Sequence, residues 1–371
     1  MRIMKKKIVY IIGQLSVGGS ERYVLSLAEH IDKNQYRPTI ICLSKTLELH
    51  DELSKIDCDL HVFNYSILSK IRTILALRTK LKHLKPDIVH TIGRSWYYTI
   101  PACYLSGIQN IIISSRSIPP WKKWYHRMAD KLLLKKVKLA MFNSDQVRQS
   151  TWLDLGLPIN KSLVIHSAVD LDVFDKNQTA KTQNPINISS IQNRPEPIIC
   201  IVANLTPTKS IDTAILAQKL LVESYPDAQL LIIGTGRSEQ KLKNLVSKLN
   251  IEKNVQFLGR RKDIPSILKI SDIGLLTSIS EGSSNSLLEY MAARLPIIAT
   301  KVGGTPEIID DQTGILIPPK SPKTLHESII KLLKNPQLSS TLGINARKKV
   351  ETKFTLNQMI KDTVKGYRSV S

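Results

Sequence analysis

The alternation of short apolar runs with helical patterns is the feature that most restricts the fold of this chain. Runs rich in β-branched residues recur from Lys7–Ile12 to Leu139–Asn143, and the pattern begins again at Ile198–Val202. Helical segments such as Ser20–Ile31 and Asp212–Glu223 separate most of these runs. Continuous apolar strands alternating with helices are typical of parallel sheets covered on both faces. The sequence therefore predicts an α/β protein with doubly wound sheets.

The chain has 371 residues, which favours two domains over one compact core. The segment Asp175–Pro197 is rich in Asn, Gln, Ser and Pro, and that composition is typical of a linker. We therefore predict a first domain over 1–178, a linker over 179–197 and a second domain over 198–350, with a cleft between the domains. A C-terminal helix over 351–371 is expected to cross back to the first domain. The remaining predicted strands are Pro38–Leu43, Ile88–Thr91, Ile111–Ser114, Ala228–Ile233, Val255–Leu258, Ile273–Leu276 and Ile297–Ala299, and the remaining predicted helices are Ser238–Leu249 and Lys323–Leu333.

The charge of the chain is unusual, because 53 basic residues oppose 31 acidic ones and give a net charge of +22. Such a field attracts nucleic acid, anionic membrane or phosphorylated ligands. The four cysteines are scattered without CxxC spacing, so we expect reduced thiols with no metal role. The basic N-terminus precedes only a short apolar run, which favours a first strand over a signal peptide. No apolar run reaches about 18 residues, so no transmembrane helix is expected.

Two carboxylates, Glu281 and Glu289, enclose a short polar run, Gly282–Ser286, and an apolar helix follows. Glu281 is predicted to lie in a loop beyond the carboxyl end of a strand, and Glu289 about one turn into the helix. A helix N-terminus carries backbone N–H groups without intrahelical partners, which suit a phosphate. The arrangement is typical of a nucleotide-diphosphate site, but a capping carboxylate and an exposed helix residue account for the same pair.

Three further segments follow predicted strands and precede helices. The first contains Gly18 and Gly19, although its spacing differs from the dinucleotide fingerprint. Lys209 lies at the end of the second and can neutralise phosphate as a point charge. The third, Gly234–Gly236, is a weak signal because Glu239 stands where the fingerprint has its last glycine. Each segment alone also fits a structural turn or, for Lys209, a solvated side chain.

The segment from Glu281 to Glu289 resembles the E-x7-E signature of retaining glycosyltransferases of family four, which have the GT-B fold. Five other segments resemble motifs of that family, in the family's order and across nearly the whole chain. Each motif is weak alone, but the ordered set makes the resemblance specific, and it points to bacterial surface-polysaccharide enzymes. The segments are Gly18–Arg22 (GGxER), Val164–Phe174 (VIxNGVDxxxF), Ala203–Lys209 (GRLxxxKG), Phe257–Gly259 (FLG) and Gly303–Glu307 (GGxPE).

The resemblance implies two Rossmann-like domains facing a central cleft, with a nucleotide-sugar donor held mainly by the second. Lys209 would contact the diphosphate, Glu281 the donor sugar and Glu289 the ribose. It also implies that no cofactor or metal is needed, because the helix dipole and cationic side chains stabilise the leaving diphosphate. The implied catalytic residues are Glu281, Lys209, Arg116 and His90. The implied donor-binding residues are Gly18, Gly19, Asn204, Lys209, Gly259, Arg260, Glu281, Ser284, Asn285, Ser286, Leu287 and Glu289.

Two departures from the family pattern concern the phosphates. Asn204 stands where the family has Arg, which removes a charge-assisted phosphate contact. Ser210 replaces the glycine that follows the family's lysine. Either Arg260 or Arg261 compensates, or donor binding is weaker than usual.

Two further departures fall in the first half. Many members carry a His after the fourth N-terminal strand, and Arg116 takes that place here, with His90 as the alternative polar group in the cleft. Ser167 and Ala168 stand where Asn and Gly are usual.

The segment Trp121–Lys138 carries seven Lys and Arg residues against one acid, Asp130, and its aromatic residues cluster at its start. A basic helix with interfacial aromatics indicates peripheral docking on an anionic bilayer. The alternative is a solvated helix that packs Leu132–Leu134 into the first domain. Nucleic acid is not expected as a partner, because no recognisable nucleic-acid motif accompanies the charge. The predicted membrane or acceptor contacts are Trp121, Lys122, Lys123 and Trp124.

We therefore expect a cytoplasmic hexosyltransferase, peripheral on the inner face of the plasma membrane. It would move a sugar from a nucleotide-diphosphate donor, UDP-linked by preference and GDP-linked otherwise, to a lipid-linked or oligosaccharide acceptor. One alternative is a sugar-nucleotide epimerase of the same fold, which would need His and carboxylate groups converging on the sugar. Another is a catalytically weakened member that serves as a binding or assembly partner.

Overall fold

The structure is a computed structural model that describes residues 5–16, 18–63, 70–117, 124–176 and 197–370. The chain divides into two compact units. The first comprises Met1–Ser167 with Leu356–Ser371, and the second comprises Ala168–Thr355. Apart from Pro197, the predicted linker 179–197 lies outside the described residues.

The first unit contains a sheet of buried, mostly β-branched strands. The strands are β1 (Lys6–Ile12), β2 (Tyr36–Cys42), β3 (Asp59–Val62), β4 (Ile88–Ile92), β5 (Ile111–Ser115), β6 (Leu139–Phe142) and β7 (Ser162–Val164). Within the described residues they form a seven-stranded parallel sheet in the order β3-β2-β1-β4-β5-β6-β7. Helices connect them: α1 (Gly19–His30), α2 (His50–Leu53), α3 (Lys70–Leu84), α4 (Trp96–Tyr104), α5 (Trp124–Leu134) and α6 (Asp145–Thr151).

The second unit repeats this design with fewer strands. It contains β8 (Ile198–Val202), β9 (Gln229–Ile233), β10 (Val255–Gly259), β11 (Ile273–Leu276), β12 (Ile297–Thr300) and β13 (Ile315–Ile317). The described strands form a six-stranded parallel sheet in the order β10-β9-β8-β11-β12-β13. The helices are α7 (Leu171–Lys176), α8 (Ile211–Leu221), α9 (Glu239–Lys248), α10 (Ile264–Lys269), α11 (Asn285–Ala292), α12 (Thr305–Ile308), α13 (Pro322–Lys334) and α14 (Pro336–Lys353).

Both sheets confirm the predicted α/β class with two doubly wound domains. Every strand predicted from an apolar run is present within two residues of its predicted limits. Three strands, β3, β7 and β13, were missed. Each lies at an edge of its sheet and has three or four residues, of which at most one is buried, so burial shapes its sequence less than that of a central strand. Among the described residues, no helix combines the length and apolar character needed to cross a membrane.

The last helix, α15 (Leu356–Arg368), belongs to the first unit rather than to the unit that precedes it in sequence. Its buried face includes Met359, Thr363 and Tyr367. The Tyr367 hydroxyl lies 2.8 Å from Nδ1 of His90 on β4, and the other ring nitrogen lies 2.8 Å from the hydroxyl of Ser114 on β5. A buried polar network therefore ties the C-terminal helix to the centre of the first sheet.

Replacing Tyr367 by Phe should lower the free energy of unfolding by about 1–3 kcal/mol, because a buried nitrogen of His90 loses its partner. Tyr104→Phe is the matched control, since Tyr104 is 68% exposed, and it should change stability by no more than about 0.5 kcal/mol. Urea denaturation followed by circular dichroism measures both. Equal effects of the two substitutions would contradict a stabilising role for the network.

Candidate functional site

The candidate site of the second unit lies where its strand order reverses. β8 pairs with β9 on one side and with β11 on the other, and ligands of doubly wound sheets bind at the carboxyl ends of such strands. The loop after β8 leads to Lys209, and the loop after β11 leads to Glu281. Two hydrogen bonds join these loops: Ile279 N–H donates to the Thr208 carbonyl at 2.9 Å, and the Thr277 hydroxyl donates to the Lys209 carbonyl at 2.9 Å. We call this region the switch-point site.

An ion pair forms the centre of the switch-point site. The Lys209 ammonium donates to Oε1 of Glu281, and the Ser278 hydroxyl donates to the same oxygen at 2.6 Å. The side chains of Lys209 and Glu281 are 24% and 9% exposed. Two residues that the sequence nominated separately are therefore in contact, and most of Glu281 is shielded from solvent.

The loop after β12 closes against the same carboxylate-bearing segment. Gly303 adopts a left-handed conformation with φ +51°, and a Cβ atom there would overlap the carbonyl oxygen of Glu281. The Thr300 hydroxyl donates to the Ser278 carbonyl at 2.6 Å. The close approach explains why the GGxPE-like turn needs glycine at its first position.

The glycines of the Gly234–Gly236 turn allow backbone contact rather than opening a cavity. Added Cβ atoms at Gly234 and Gly236 would overlap the carbonyl oxygens of Ala203 and Leu205. Leu205 N–H donates to the Thr235 carbonyl at 3.0 Å, so the turn packs directly on the loop after β8. This turn therefore positions the Lys209 loop.

The start of α11 has the geometry that a helix-terminal anion site requires. Ser284 is the N-cap residue, but its side chain makes no capping hydrogen bond. Its hydroxyl instead lies 2.9 Å from the Ser286 hydroxyl. Asn285 and Glu289 are partly buried, whereas the Leu287 side chain is fully buried, so only the backbone of Leu287 could serve a ligand.

Tyr290 is a positioning residue that the sequence analysis missed. β8 and β11 are paired only at Ile199 with Ile273 and at Cys200 with Gly274. Beyond that point the Tyr290 hydroxyl accepts from Val202 N–H at 2.7 Å and donates to the Leu275 carbonyl at 3.2 Å. Its fully buried ring lies against Gly274, where a Cβ would come within 2.7 Å. Tyr290 thus bridges the parting strands and anchors α11, but a Tyr in an apolar helix signals only a core position.

The residues near Lys209 that differ from the expected family motif can be located in the structure. Asn204 is exposed, and so is Arg260 beyond β10. Arg261 forms a bidentate ion pair with Asp263 at 2.8 and 2.6 Å, which occupies its guanidinium locally. Ser210 has a left-handed backbone with φ 45°, the conformation that glycine adopts without steric cost, and its hydroxyl donates to Asp212 at 2.9 Å.

The glycine-rich segment of the first unit opens α1. Gly18 is the N-cap residue with an extended backbone, and Gly19 is the first helical residue. The Glu21 carboxylate lies so close that a Cβ on Gly18 would come within 2.5 Å of Oε2. Burial raises the pKa of Glu21 above its usual value, which its hydrogen bonds to the backbone and to Ser16 partly offset.

Gly259 stands at the end of β10 with φ +63°, and a Cβ there would meet nothing within 4 Å. Its carbonyl accepts from Gly234 N–H at 2.8 Å. The end of β10 is therefore held to the turn after β9, and the space above Gly259 is open.

His90 and Arg116 have different surroundings in the first unit. His90 is completely buried, both ring nitrogens have hydrogen-bond partners, and burial with the nearby Arg116 charge lowers its pKa to about 3. A neutral ring held on both nitrogens is poorly suited to proton transfer with a substrate. Arg116 follows β5 directly and is partly buried. Trp124 is exposed at the start of α5, and the predicted contacts Trp121, Lys122 and Lys123 lie outside the described residues.

Two protein-family models match this chain. The model for glycosyl transferases group 1 matches residues 184–349, and the model for glycosyltransferase family 4 matches residues 17–173. Together the two matches indicate a GT-B glycosyltransferase. The earlier resemblance, which rested on six short motifs, is confirmed at that level.

Several sequence relatives are named as glycosyltransferases. The chain is 30% identical to the N-acetyl-alpha-D-glucosaminyl L-malate synthase of Bacillus anthracis over 203 residues, covering 54% of this chain and 52% of that protein. The match thus spans about half the length of that relative. It is 24% identical to the UDP-Gal:alpha-D-GlcNAc-diphosphoundecaprenol alpha-1,3-galactosyltransferase of Escherichia coli, covering 95% of this chain and 94% of that protein.

A solved structure supports the fold assignment. The crystal structure of a glycosyltransferase from Rickettsia africae superimposes with a TM-score of 0.85 at 23% identity, covering 99% of this chain and 98% of that chain. A likeness at this identity shows the GT-B fold, and the roles of individual site residues stay predictions.

Gly303→Ala should lower the free energy of unfolding by about 2 kcal/mol or more, because left-handed strain and overpacking each cost about 1–3 kcal/mol. Gly13→Ala is the control, since an added Cβ there meets nothing within 4 Å. Urea denaturation compares the two variants. If Gly303→Ala is as stable as Gly13→Ala, the loop after β12 does not support Glu281 as described.

Proposed function

We propose that this chain transfers a sugar from a nucleotide-diphosphate sugar to a lipid-linked or polysaccharide acceptor in cell-surface glycan synthesis, with retention of anomeric configuration. The observation that carries the proposal is the Lys209–Glu281 pair at the carboxyl ends of β8 and β11, followed in sequence by the uncapped start of α11. A cation, a carboxylate and free helix N–H groups are the chemistry that a sugar diphosphate requires. The Escherichia coli relative, which is named for a UDP-Gal donor and a diphosphoundecaprenol acceptor, supports a UDP-sugar and a lipid-linked acceptor.

The donor diphosphate would bind to the N–H donors of the Lys209 ammonium that Glu281 does not occupy. A lysine ammonium has three N–H donors, and Glu281 takes one of them. The other two can meet phosphate oxygens, while the backbone N–H groups of Asn285 and Ser286 approach from the helix start. Glu289, one turn further along α11, would accept hydrogen bonds from the ribose hydroxyls.

In the proposed reaction, the bond between the anomeric carbon and the diphosphate oxygen breaks, and the acceptor oxygen bonds to the same face of that carbon. The acceptor proton passes to the leaving diphosphate oxygen. Lys209 and the N-terminus of α11 stabilise the negative charge that develops on the diphosphate. Glu281 would hold the donor sugar in position, since Ser278 and Lys209 fix its carboxylate. We propose that these groups make a divalent metal unnecessary.

A second candidate is a weakened family member that binds partners rather than catalysing transfer. It is favoured by exposed Asn204 in place of the expected Arg and by Arg261 being paired with Asp263. Titration calorimetry with UDP and with GDP separates the candidates. Absence of binding to either nucleotide by the folded protein would exclude the enzyme proposal.

Glu281→Gln should reduce transfer by about 100-fold or more while the protein stays folded, because the substitution removes the carboxylate charge but keeps its shape. Mass spectrometry of products from a panel of nucleotide sugars and a lipid-linked acceptor measures the transfer. Added EDTA should leave the wild-type rate unchanged.

Glu252→Gln is the matched control for Glu281→Gln. Glu252 lies just before β10, at the opposite edge of the same sheet, so it tests the loss of one negative charge away from the site. It should leave transfer unchanged. Full activity of Glu281→Gln would show that the carboxylate has no part in the reaction.

We also propose that α5 docks the protein on an anionic membrane surface. Asp130 and Leu134 form its buried face, where Asp130 accepts from Trp96 Nε1 at 3.2 Å and from the Tyr97 hydroxyl at 2.6 Å. That attachment turns the opposite face outward. The outward face carries Trp124 at 72%, Met128 at 57% and Leu132 at 65% exposure.

Basic side chains flank this apolar stripe. Arg127, Lys131 and Lys135 are exposed at four-residue spacing, beside the stripe formed by Trp124, Met128 and Leu132. Of the three leucines expected to pack inward, Leu134 is buried and Leu133 contacts the core, but Leu132 does not. An exposed apolar stripe with a basic border favours an interfacial helix over a solvated one.

The double substitution Trp124→Ser and Leu132→Ser should weaken binding to phosphatidylglycerol vesicles by about tenfold or more, because both side chains lose apolar burial in the lipid. Vesicle sedimentation measures binding, and added salt should also weaken it. Ile344→Ser, at a 46% exposed position on α14, is the control and should bind as wild type does. Equal binding by both variants would contradict docking through α5.

A further inference from the structure

Arg116 is held in a fixed position at the carboxyl end of β5. Its guanidinium carbon lies 4.0 Å from the centroid of the Tyr23 ring, and its Nη2 donates to the Ser167 hydroxyl at 2.7 Å. Tyr23 and Ser167 are both buried. The Arg116 carbonyl in turn accepts from Asn143 Nδ2 at 3.0 Å. The ring and hydroxyl contacts therefore fix the direction of the cation, and the Asn143 contact holds its backbone.

The described residues give this cation no acidic partner. Among the described residues, the side chain of Arg116 contacts a ring and a hydroxyl but no carboxylate. The parts of the first unit outside the description, residues 1–4, 17, 64–69, 118–123 and 371, contain no Asp or Glu. Burial lowers the pKa of Arg116 to about 10, so the group stays positive at neutral pH. A shielded cation without a counter-ion is costly, and a ligand anion would remove that cost.

The second contact of the cation joins two segments that are distant in sequence. Arg116 follows β5, and Ser167 follows β7. The two side chains are hydrogen-bonded to each other across 51 positions of sequence. A guanidinium and a hydroxyl that are held together in this way present several hydrogen-bond donors at one place.

We propose that Arg116 and Ser167 form a subsite for an oxyanion of the acceptor, namely its phosphate group. This rests on the proposed function. The planar guanidinium fork has five N–H donors and matches phosphate oxygens in a bidentate way, and the serine hydroxyl can add a further donor. The donor diphosphate is the other source of such an oxyanion, but the proposed function assigns it to Lys209 and the start of α11 in the second unit.

The test measures binding of inorganic phosphate, geranyl phosphate and UDP to the full chain by titration calorimetry. Arg116→Gln should weaken the binding of inorganic phosphate and of geranyl phosphate by about tenfold or more, because it removes a charge-assisted contact. It should leave the dissociation constant of UDP within about twofold. Arg37→Gln is the matched control, because it also removes one positive charge. Arg37 is exposed near the amino end of β2, at the opposite end of the strands from Arg116, and it pairs with Asp59 at 3.3 Å.

Ser167→Ala is a second variant that keeps the charge, and it should weaken the phosphate probes by about threefold. If Arg116→Gln fails to fold, Ser167→Ala still tests the subsite. The subsite would be overturned if the wild-type protein binds neither phosphate probe, or if the variants bind the probes as tightly as the wild-type protein does. Weaker UDP binding by Arg116→Gln would assign Arg116 to the donor and overturn the acceptor assignment. Failure of the proposed function is separate, because it appears as wild type that does not bind UDP or GDP.

Discussion

The parting of β8 and β11 is the constraint on which the candidate site depends. Parallel strands present their carboxyl ends at one edge, and the reversal of strand order separates two neighbouring loops at that edge. Once backbone pairing stops after Cys200 and Gly274, the exposed polar groups need other partners. The Tyr290 hydroxyl supplies them, and its ring fills the space that Gly274 leaves. The helix that carries Tyr290 therefore begins four residues after Glu281, which pairs with Lys209.

The charged side chains at the strand ends are arranged differently in the two units. In the second unit the charges at the strand ends neutralise each other, since Lys209 pairs with Glu281. In the first unit His90 is kept neutral in the core, whereas Arg116 remains charged, with no acidic partner in the part of the chain that the structure describes. A neutralised pair can exchange partners with a ligand, and an unpaired cation can gain one. Both arrangements suit substrates that carry phosphate.

Much of the fold and part of the site could be predicted from the sequence. Central strands were found, including β11 and β12 with only four residues each, whereas short edge strands such as β13 were not, because few of their residues are buried. The positions of Lys209 and Glu281 after predicted strands identified each as a candidate site residue. The sequence could not predict the contact between them, because 72 positions separate them. One alternative placed Leu132 in the core of the first domain. In the structure Asp130 is buried on the inner face of α5, and Leu132 is exposed on the opposite face.

The sequence by itself determined the two α/β units, the order of the strand-end motifs and the excess of positive charge, because these depend on local period and composition. Only the tertiary structure decided which of these residues meet. It joined Arg116 to Ser167, placed Tyr290 between two strands, buried His90 beneath the C-terminal helix and exposed the apolar face of α5. The physical reason is that strand order and helix orientation arise from packing between distant segments, and no local pattern in the chain records that packing.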